Sequence, residues 1–479
     1  CVVLLMPFLF FFIFFLMIRR PPRSTLFPYP TLFRSILGSN PSAPASKMLN
    51  KIKKIITKTD RFLFKKFGSE KSIKILENIK EAKIIFSYLN EIEKESKVRF
   101  VGGCVRKSLC GESIDDIDLA TSLEPDEVKK KLTKGDIKVI DTGISHGTVT
   151  VILNQKKFEI TTLRKDVSTD GRHAKVQFTS NWELDASRRD FTINAIYADI
   201  EGRIFDPLNG VSDLQNGKIK FIGSPEKRIQ EDYLRILRYF RFFIQYSKTD
   251  YDQDTIQSIN KNINGLNKIS NERIFDELKK ILSLKNVYSL FDNNQSKKII
   301  LNIFPELKYY ERLNKINSLD KKLKDKYDNH LILALLVIDQ SDDYEYFCHK
   351  YKTSNSIENR FKNISINFEN LKSKKFFSEE NIKKLIYLSS KDDVRNLLLF
   401  STCVNDKIET LNVEKLLNYI KSCEIPKFPI SGDYLKKCGY ETGNELGKKL
   451  KSLEEKWIAN NFVLDEEVLK KSLKKINQN

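Results

Sequence analysis

Histidine and cysteine are scarce in this chain, four and seven among 479 residues, and neither is grouped. Cys1, Cys104, Cys110, Cys348, Cys403, Cys423 and Cys438 form no CxxC pair, and His146, His173, His330 and His349 lie far apart, none followed by aspartate. These absences exclude a His/Cys zinc framework and a histidine-based metal phosphohydrolase, and they leave the reduced thiols of a cytoplasmic protein as the reading. Long apolar runs are also lacking beyond the opening "CVVLLMPFLFFFIFFLMI", which precedes "RRPPR". Positive charge after the run resembles the inner flank of a membrane anchor and is the reverse of a signal peptide. However, the chain starts with cysteine, and "RRPPRSTLFPYPTLFRS" resembles a translated sequencing adapter. Residues 1–47 are therefore expected to be an extraneous leader and linker, with Met48 the natural start and no membrane as partner.

What the chain has in excess is positive charge. Lysine and arginine number 83 against 63 aspartates and glutamates, a formal net charge of +20. That balance suits a polyanion such as nucleic acid, although a lysine-rich, AT-biased coding sequence would produce part of it. Residues 48–96 carry apolar residues at helical spacing, most clearly in "SIKILENIKEAKIIFSYLNEIEK", and read as a helical lead-in. From 97 to 210 short β-rich runs ("KVRFVGG", "IDDIDLAT", "GTVTVIL", "KFEITTLR") surround one Lys-rich helical segment, and from 211 onward the periodicity is helical with no fixed repeat. The expected fold is α+β: a head with a small mixed sheet, then an all-α neck over 211–290 and an all-α body and tail over 291–479.

Against the basic background, "SIDDIDLAT" sets three aspartates within four positions. Alternation along a strand points Asp116 and Asp118 to one face and Ile117 and Leu119 to the other. Paired carboxylates repel unless a divalent cation neutralises them, and Mg²⁺ takes one or two carboxylates plus substrate phosphates. A solvated turn is the commoner fate of an isolated Asp-x-Asp. Here, though, "RFVGGCVRKSLCG" lies just upstream, where Gly102 and Gly103 at a strand-to-helix turn, followed by Arg106, suit a phosphate. A phosphate cradle beside a metal-binding carboxylate pair is what metal-assisted nucleotidyl transfer requires.

With these segments in view, the chain resembles the class II tRNA nucleotidyltransferases, the CCA-adding enzymes of the DNA polymerase β-like superfamily, and the related bacterial poly(A) polymerases. The likeness runs in order through "VGGCVRKSLCGESIDDIDLAT", "DTGISHGTVTV", "FEITTLRKDVSTDGRHAKVQFT", "RRDFTINAIY", "DPLNGVSDL", "EDYLRILRYFRF" and "SNERIFDELKKIL", from about residue 98 to about 285. It implies that Asp116 and Asp118 hold catalytic Mg²⁺, with Glu159 the candidate third carboxylate; an ordinary exposed strand glutamate is the competing reading. It implies that Gly102, Gly103 and Arg106 hold the triphosphate, and that Arg189, Asp190 and Asn194, on a segment expected to be helical, contact sugar and phosphates. Asp190 is also expected to orient a neighbouring arginine, and Arg188 to be a surface charge. Asp232, Arg235 and Arg238 would form one stripe of a helix. The resemblance makes Asp232 and Arg235 the template for the incoming base, with Arg238 and Arg241 further nucleotide contacts. Asp206 and Gly210 are read as hinge or capping residues, Ser270 as the N-cap of a bracing helix.

The resemblance implies addition of C, C and A to the tRNA 3′ end from CTP and ATP, without an obligate protein partner. Poly(A) polymerase shares the catalytic set, but the basic Gly-Arg-Arg-Phe-like signature of that branch is missing from "IKVIDTGISHGTV". A partial CC- or A-adding enzyme and a catalytically inactive RNA-binding protein are the remaining alternatives. The chain departs from the family at Lys107, where an aspartate usually follows the motif arginine. Beyond about residue 290 only a helical, basic character remains, as expected of domains that grip tRNA.

Overall fold

The computed structural model describes residues 79–90, 97–168, 175–405 and 410–464. The leader expected at 1–47, and all of the lead-in except 79–90, lie outside them. In the described part of the lead-in, helical spacing produces α1 (Lys80–Leu89), which buries Ala82, Ile85, Phe86 and Leu89. The head continues with β1 (Val98–Val101), α2 (Gly103–Leu109), β2 (Ile117–Thr121), α3 (Pro125–Thr133), β3 (Val139–Gly143), β4 (Thr148–Leu153) and β5 (Lys156–Thr162). A separate two-stranded ribbon, β6 (Arg164–Ser168) with β7 (Lys175–Phe178), leads to α4 (Trp182–Ser187), β8 (Tyr197–Ala198) and β9 (Ile204–Phe205).

Seven of these strands form one mixed sheet in the order β3-β4-β5-β2-β1-β8-β9. The β2–β5 pair is parallel, and the other neighbours are antiparallel. Alternation gives the sheet two apolar faces. Phe100, Leu119, Phe158 and Ile160 enter the main core with α1 and α3, where the Phe86 and Phe100 rings lie 4.9 Å apart. Val101, Ala120 and Leu163 enter a second cluster with Ala186, Tyr197 and Ile222. Each large side chain so buried contributes about 1.5–3 kcal/mol of transfer free energy. Asp118 and Glu159 share the parity of Ala120 and so stand on the second face, away from α1 and α3.

The helical part opens with α5 (Gly210–Asn216), α6 (Pro225–Glu231), α7 (Arg235–Tyr246), α8 (Gln253–Asn262) and α9 (Asn271–Leu282), and helices continue to Ala459. Ile236, Leu237 and Phe240 of α7 and Ile274, Leu278 and Ile281 of α9 are buried, as their spacing predicts. Ser270 occupies the N-cap position of α9, but its side chain makes no capping bond. Among the described residues no helix is long and apolar enough to cross a membrane.

The "RRDFTINAIY" segment is not the expected helix. It runs from the end of α4 through a Phe191–Phe221 bridge and a 3₁₀ turn over Thr192–Asn194 into β8. The reason is that Phe191, Ile193, Ile196 and Tyr197 are all fully buried, which a helix flanked on one side by solvent would not allow. Asp206 caps α5, its Oδ1 accepting from Gly210 N at 2.8 Å and its Oδ2 from Val211 N at 2.9 Å. Gly210 must be glycine for a separate reason: a Cβ there would lie 2.1 Å from the Thr192 carbonyl oxygen. Gly210→Ala is therefore expected to lower stability by about 1–3 kcal/mol, read by chemical denaturation; an unchanged midpoint would contradict this close approach.

Candidate active site

The carboxylates come together through strand register. Asp118 lies opposite Glu159 in the parallel β2–β5 ladder, and Asp116 stands immediately before β2, exposed. Ile117 and Leu119 point into the core, as alternation predicts, and Thr161 shares the Glu159 face, its hydroxyl 3.0 Å from that of Thr148. Burial pushes the Asp118 carboxyl upward from its ordinary range, and the charges of Glu159 and Asp116 push it further, against the pull of Arg189. Glu159 is itself engaged by Lys157, Oε1 to Nζ at 2.5 Å. Among the described residues no group of three or more His, Cys, Asp or Glu side chains closes a metal cage. A repelling pair of hard oxygen donors with open positions fits Mg²⁺, which commonly completes its shell with water and substrate phosphate.

Beside the carboxylates, Gly102 makes the turn into α2 with φ +67°, a conformation that glycine adopts freely. An added Cβ there would meet Arg189 Nη1 at 3.6 Å, so the Arg189 guanidinium lies along this turn. Arg189 is fixed by Asp185 Oδ2, 3.0 Å from its Nη2, and by the Tyr197 hydroxyl, 3.2 Å from its Nε. Arg188 is likewise no surface charge, since its Nη2 sits 2.7 Å from Asp185 Oδ1. Burial opposes ionisation of Asp185, but the charges of Arg189 and Arg188 and the Tyr197 hydroxyl outweigh it and bring the carboxyl to about 2.

Asp190 organises the centre. Its Oδ1 accepts from Phe191 N at 2.9 Å and Asn194 Nδ2 at 2.8 Å, while its Oδ2 receives Arg238 Nε and Nη2 at 2.8 and 2.6 Å. Burial works against this carboxylate, yet the Arg238 charge and these hydrogen bonds hold it far below the usual range. Asn194 Oδ1 in turn accepts from Arg106. Arg106, Arg238 and Arg241 surround one buried ring, their guanidinium carbons 4.7, 5.5 and 4.2 Å from the centroid of Phe242. Among the described residues the buried Nε of Arg106 has no hydrogen-bond acceptor.

The residues expected to read the base sit differently from the stripe expected of them. Helix α7 starts at Arg235, and Asp232 occupies the extended break before it. There Asp232 Oδ1 accepts from Leu234 N at 3.2 Å and Oδ2 from Arg273 Nη2 at 3.0 Å. Arg235 uses one nitrogen, Nη1, for both its bonds, to Glu231 Oε2 at 2.5 Å and the Arg228 carbonyl at 2.8 Å. Arg241 is held by Glu277, buried on α9. Arg273, Glu277, Asp185 and Phe242 were not apparent from the sequence. Arg273 and Glu277 are four apart in "ERIFDEL", a spacing that suits a pair on one helix, whereas Arg273 reaches Asp232 in the break before α7 and Glu277 reaches Arg241 on α7. Lys107 turns away from Arg106 and pairs with Asp115 Oδ2 at 2.8 Å.

A carboxylate pair beside a glycine turn, backed by an arginine cluster on a mixed sheet, defines a nucleotidyltransferase. The family model for the poly A polymerase head domain matches residues 98–220, and the probable RNA and SrmB-binding site of polymerase A matches 250–311. Mouse mitochondrial CCA tRNA nucleotidyltransferase 1 is 35% identical over 400 residues, covering 80% of this chain and 88% of the mouse protein. The Lactobacillus helveticus CCA-adding enzyme is 32% identical over 405 residues, 79% of this chain and 93% of that protein. The Bacillus stearothermophilus CCA-adding enzyme, solved in complex with CTP, superposes with a TM-score of 0.61 at 25% identity, over 79% of this chain and 92% of that one. The chain belongs to the family of CCA-adding tRNA nucleotidyltransferases and poly(A) polymerases.

Because the Asp185 carboxyl is depressed to about 2 in the folded chain, against about 3.9 unfolded, its stabilisation is complete above the unfolded value. It is lost as pH falls through the folded one. Denaturation between pH 5 and roughly pH 2 should show stability dropping with acid, with a shallower slope in Asp185→Asn; equal slopes would exclude this linkage.

Proposed function

We propose that this chain adds C, C and A to tRNA 3′ ends from CTP and ATP, releasing pyrophosphate. The observation that carries the reading is the likeness to CCA-adding enzymes over 80% of this chain, which is long enough to take in head and helical parts together. Asp116 and Asp118 would hold Mg²⁺, with Glu159 beside them. Held there, one ion would lower the pKa of the tRNA 3′-hydroxyl and a second would offset charge on the pyrophosphate.

The chain's own residues do the rest. Gly102, Gly103 and Arg106 receive the triphosphate, and the acceptor-free Nε of Arg106 supports that role. Arg189 and Asn194 position sugar and phosphates, while Asp190 fixes Arg238 and Asn194. At the base, each Asp232 oxygen keeps a lone pair to accept from the exocyclic amine of cytosine or adenine. Arg235, anchored through Nη1, has Nε and Nη2 to donate to ring acceptors. Uracil and guanine present a carbonyl where the amine should be and meet the carboxylate oxygen to oxygen, which rejects them.

We assign 97–210 as the catalytic head, 211–290 as the neck that reads the base, and 291–479 as the body and tail that grip tRNA by phosphate contacts and shape. The free cysteines support a cytoplasmic setting, which imaging of the tagged protein would check.

The test is incubation with Mg²⁺ and a tRNA transcript lacking its last three nucleotides, with products resolved at single-nucleotide length. Growth by CC with CTP, and a halt after A with both nucleotides, is expected; a long A-tail from ATP would identify a poly(A) polymerase, and no extension a binding protein. Asp116→Ala and Asp118→Ala should each abolish incorporation without unfolding the chain, and full activity in both would refute their role. Asp232→Ala should blur the choice among CTP, ATP, UTP and GTP, a result that unchanged discrimination would contradict.

A further inference from the structure

The two carboxylates assigned to the metal are held by different means. Asp118 lies inside the β2–β5 ladder, which begins at Ile117, whereas Asp116 lies outside it on irregular chain spanning 112–116. Misplacement by about 1 Å costs a reaction of this kind roughly a hundredfold. Strand pairing does not supply that accuracy to Asp116, so the contacts of its own loop must.

Those contacts come from two elements. The loop leaves α2 through Gly111 at φ +70°, with Glu112 N donating to the Lys107 carbonyl at 2.9 Å. Glu112 Oε2 then accepts from Gln245 Nε2 and from the Tyr246 hydroxyl, each at 3.2 Å, in the last turn of α7. Ile114 packs against the main core. Asp115, adjacent to Asp116, forms the 2.8 Å ion pair with Lys107 of α2.

We propose that Glu112 and the Lys107–Asp115 pair are positioning residues that clamp this loop and so place Asp116 for the metal. Because Gln245 and Tyr246 belong to α7, the clamp also ties the position of that carboxylate to the helix that begins at Arg235. The inference rests on the reading of Asp116 as a metal ligand in nucleotidyl transfer. It gives the departure at Lys107 a purpose, since the basic residue is answered by an acid at 115. The ion pair is half exposed, with side-chain exposures of 27% and 71%, so its effect falls on placement rather than on stability.

The test uses the full chain with Lys107→Asp, Asp115→Lys, the two combined, Glu112→Ala and Glu112→Gln. CTP incorporation is measured alongside direct Mn²⁺ binding, followed by loss of the free-ion electron paramagnetic resonance signal. Lys107→Asp restores the usual family residue but sets two carboxylates against each other. It should lower kcat roughly tenfold and weaken Mn²⁺ binding severalfold, with KM for CTP and melting temperature unchanged. The combined charge swap should recover both properties. Glu112→Ala should behave like Lys107→Asp, while Glu112→Gln, which keeps an acceptor oxygen, retains most activity. Wild-type kcat and Mn²⁺ affinity in Lys107→Asp and Glu112→Ala would overturn the clamp, as would a folded charge swap that recovers nothing. If the unaltered chain incorporates no CTP, nucleotidyl transfer is the reading that fails, and the Mn²⁺ titration still judges the clamp.

Discussion

The buried carboxylate of Asp190 is the constraint on which the rest of the site depends. An ionised group inside a core is tolerated only when its oxygens are filled, and removing one partner of such a pair typically costs about 3–5 kcal/mol. Here both oxygens are filled, by Phe191 N, Asn194 and a two-pronged Arg238. That one group ties the segment after α4 to α7 through Arg238 and holds Asn194, whose other side-chain atom receives Arg106. The ring of Phe191, the next residue, packs against those of Phe221 and Phe242, with centroids 4.5 and 5.4 Å away. They keep the local dielectric low, which strengthens the pair once it has formed.

The same arrangement creates a deficit of negative charge. Three guanidiniums around Phe242 are compensated unequally: Arg238 by the carboxylate of Asp190, Arg241 by that of Glu277, and Arg106 by the neutral amide of Asn194. Burial lowers the affinity of Arg241 for its proton, and Arg238 and Arg106 lower it further, against the support of Glu277. Ring faces relieve part of the repulsion. The remainder is positive charge that the cluster's own carboxylates leave unanswered.

What could be read from the sequence follows from which contacts are local. Alternation in "IDDIDLAT" and "KFEITTLR" fixes which face Asp118 and Glu159 occupy, because two-residue periodicity is a property of the backbone. The resemblance singled out Arg106, Asn194 and Asp232. Their partners were less legible. Arg273 and Glu277 act across helices, and a helix carrying arginine and glutamate four apart looks self-paired. "RRDFTINAIY" has helical spacing, yet burial on all sides overrides that preference. Asp232 resembles the first turn of a helix until its break is seen, since Arg235, Arg238 and Arg241 continue at the same spacing. Phe242 looks like one more core aromatic, and its three cationic neighbours come from two separate segments.

The parallel pairing of β2 with β5 has a consequence for the history of the molecule as it emerges from the ribosome. Adjacent antiparallel strands can close through short turns, but a parallel pair requires the chain to travel the length of the sheet and return before the first rung forms. Asp118 is synthesised early and waits for α3, β3 and β4 before Glu159 arrives beside it. Non-local pairings of this kind form slowly, since loop closure must precede any gain from contact. The pairing of Asp118 with Glu159 therefore cannot form until the fifth strand has left the exit tunnel.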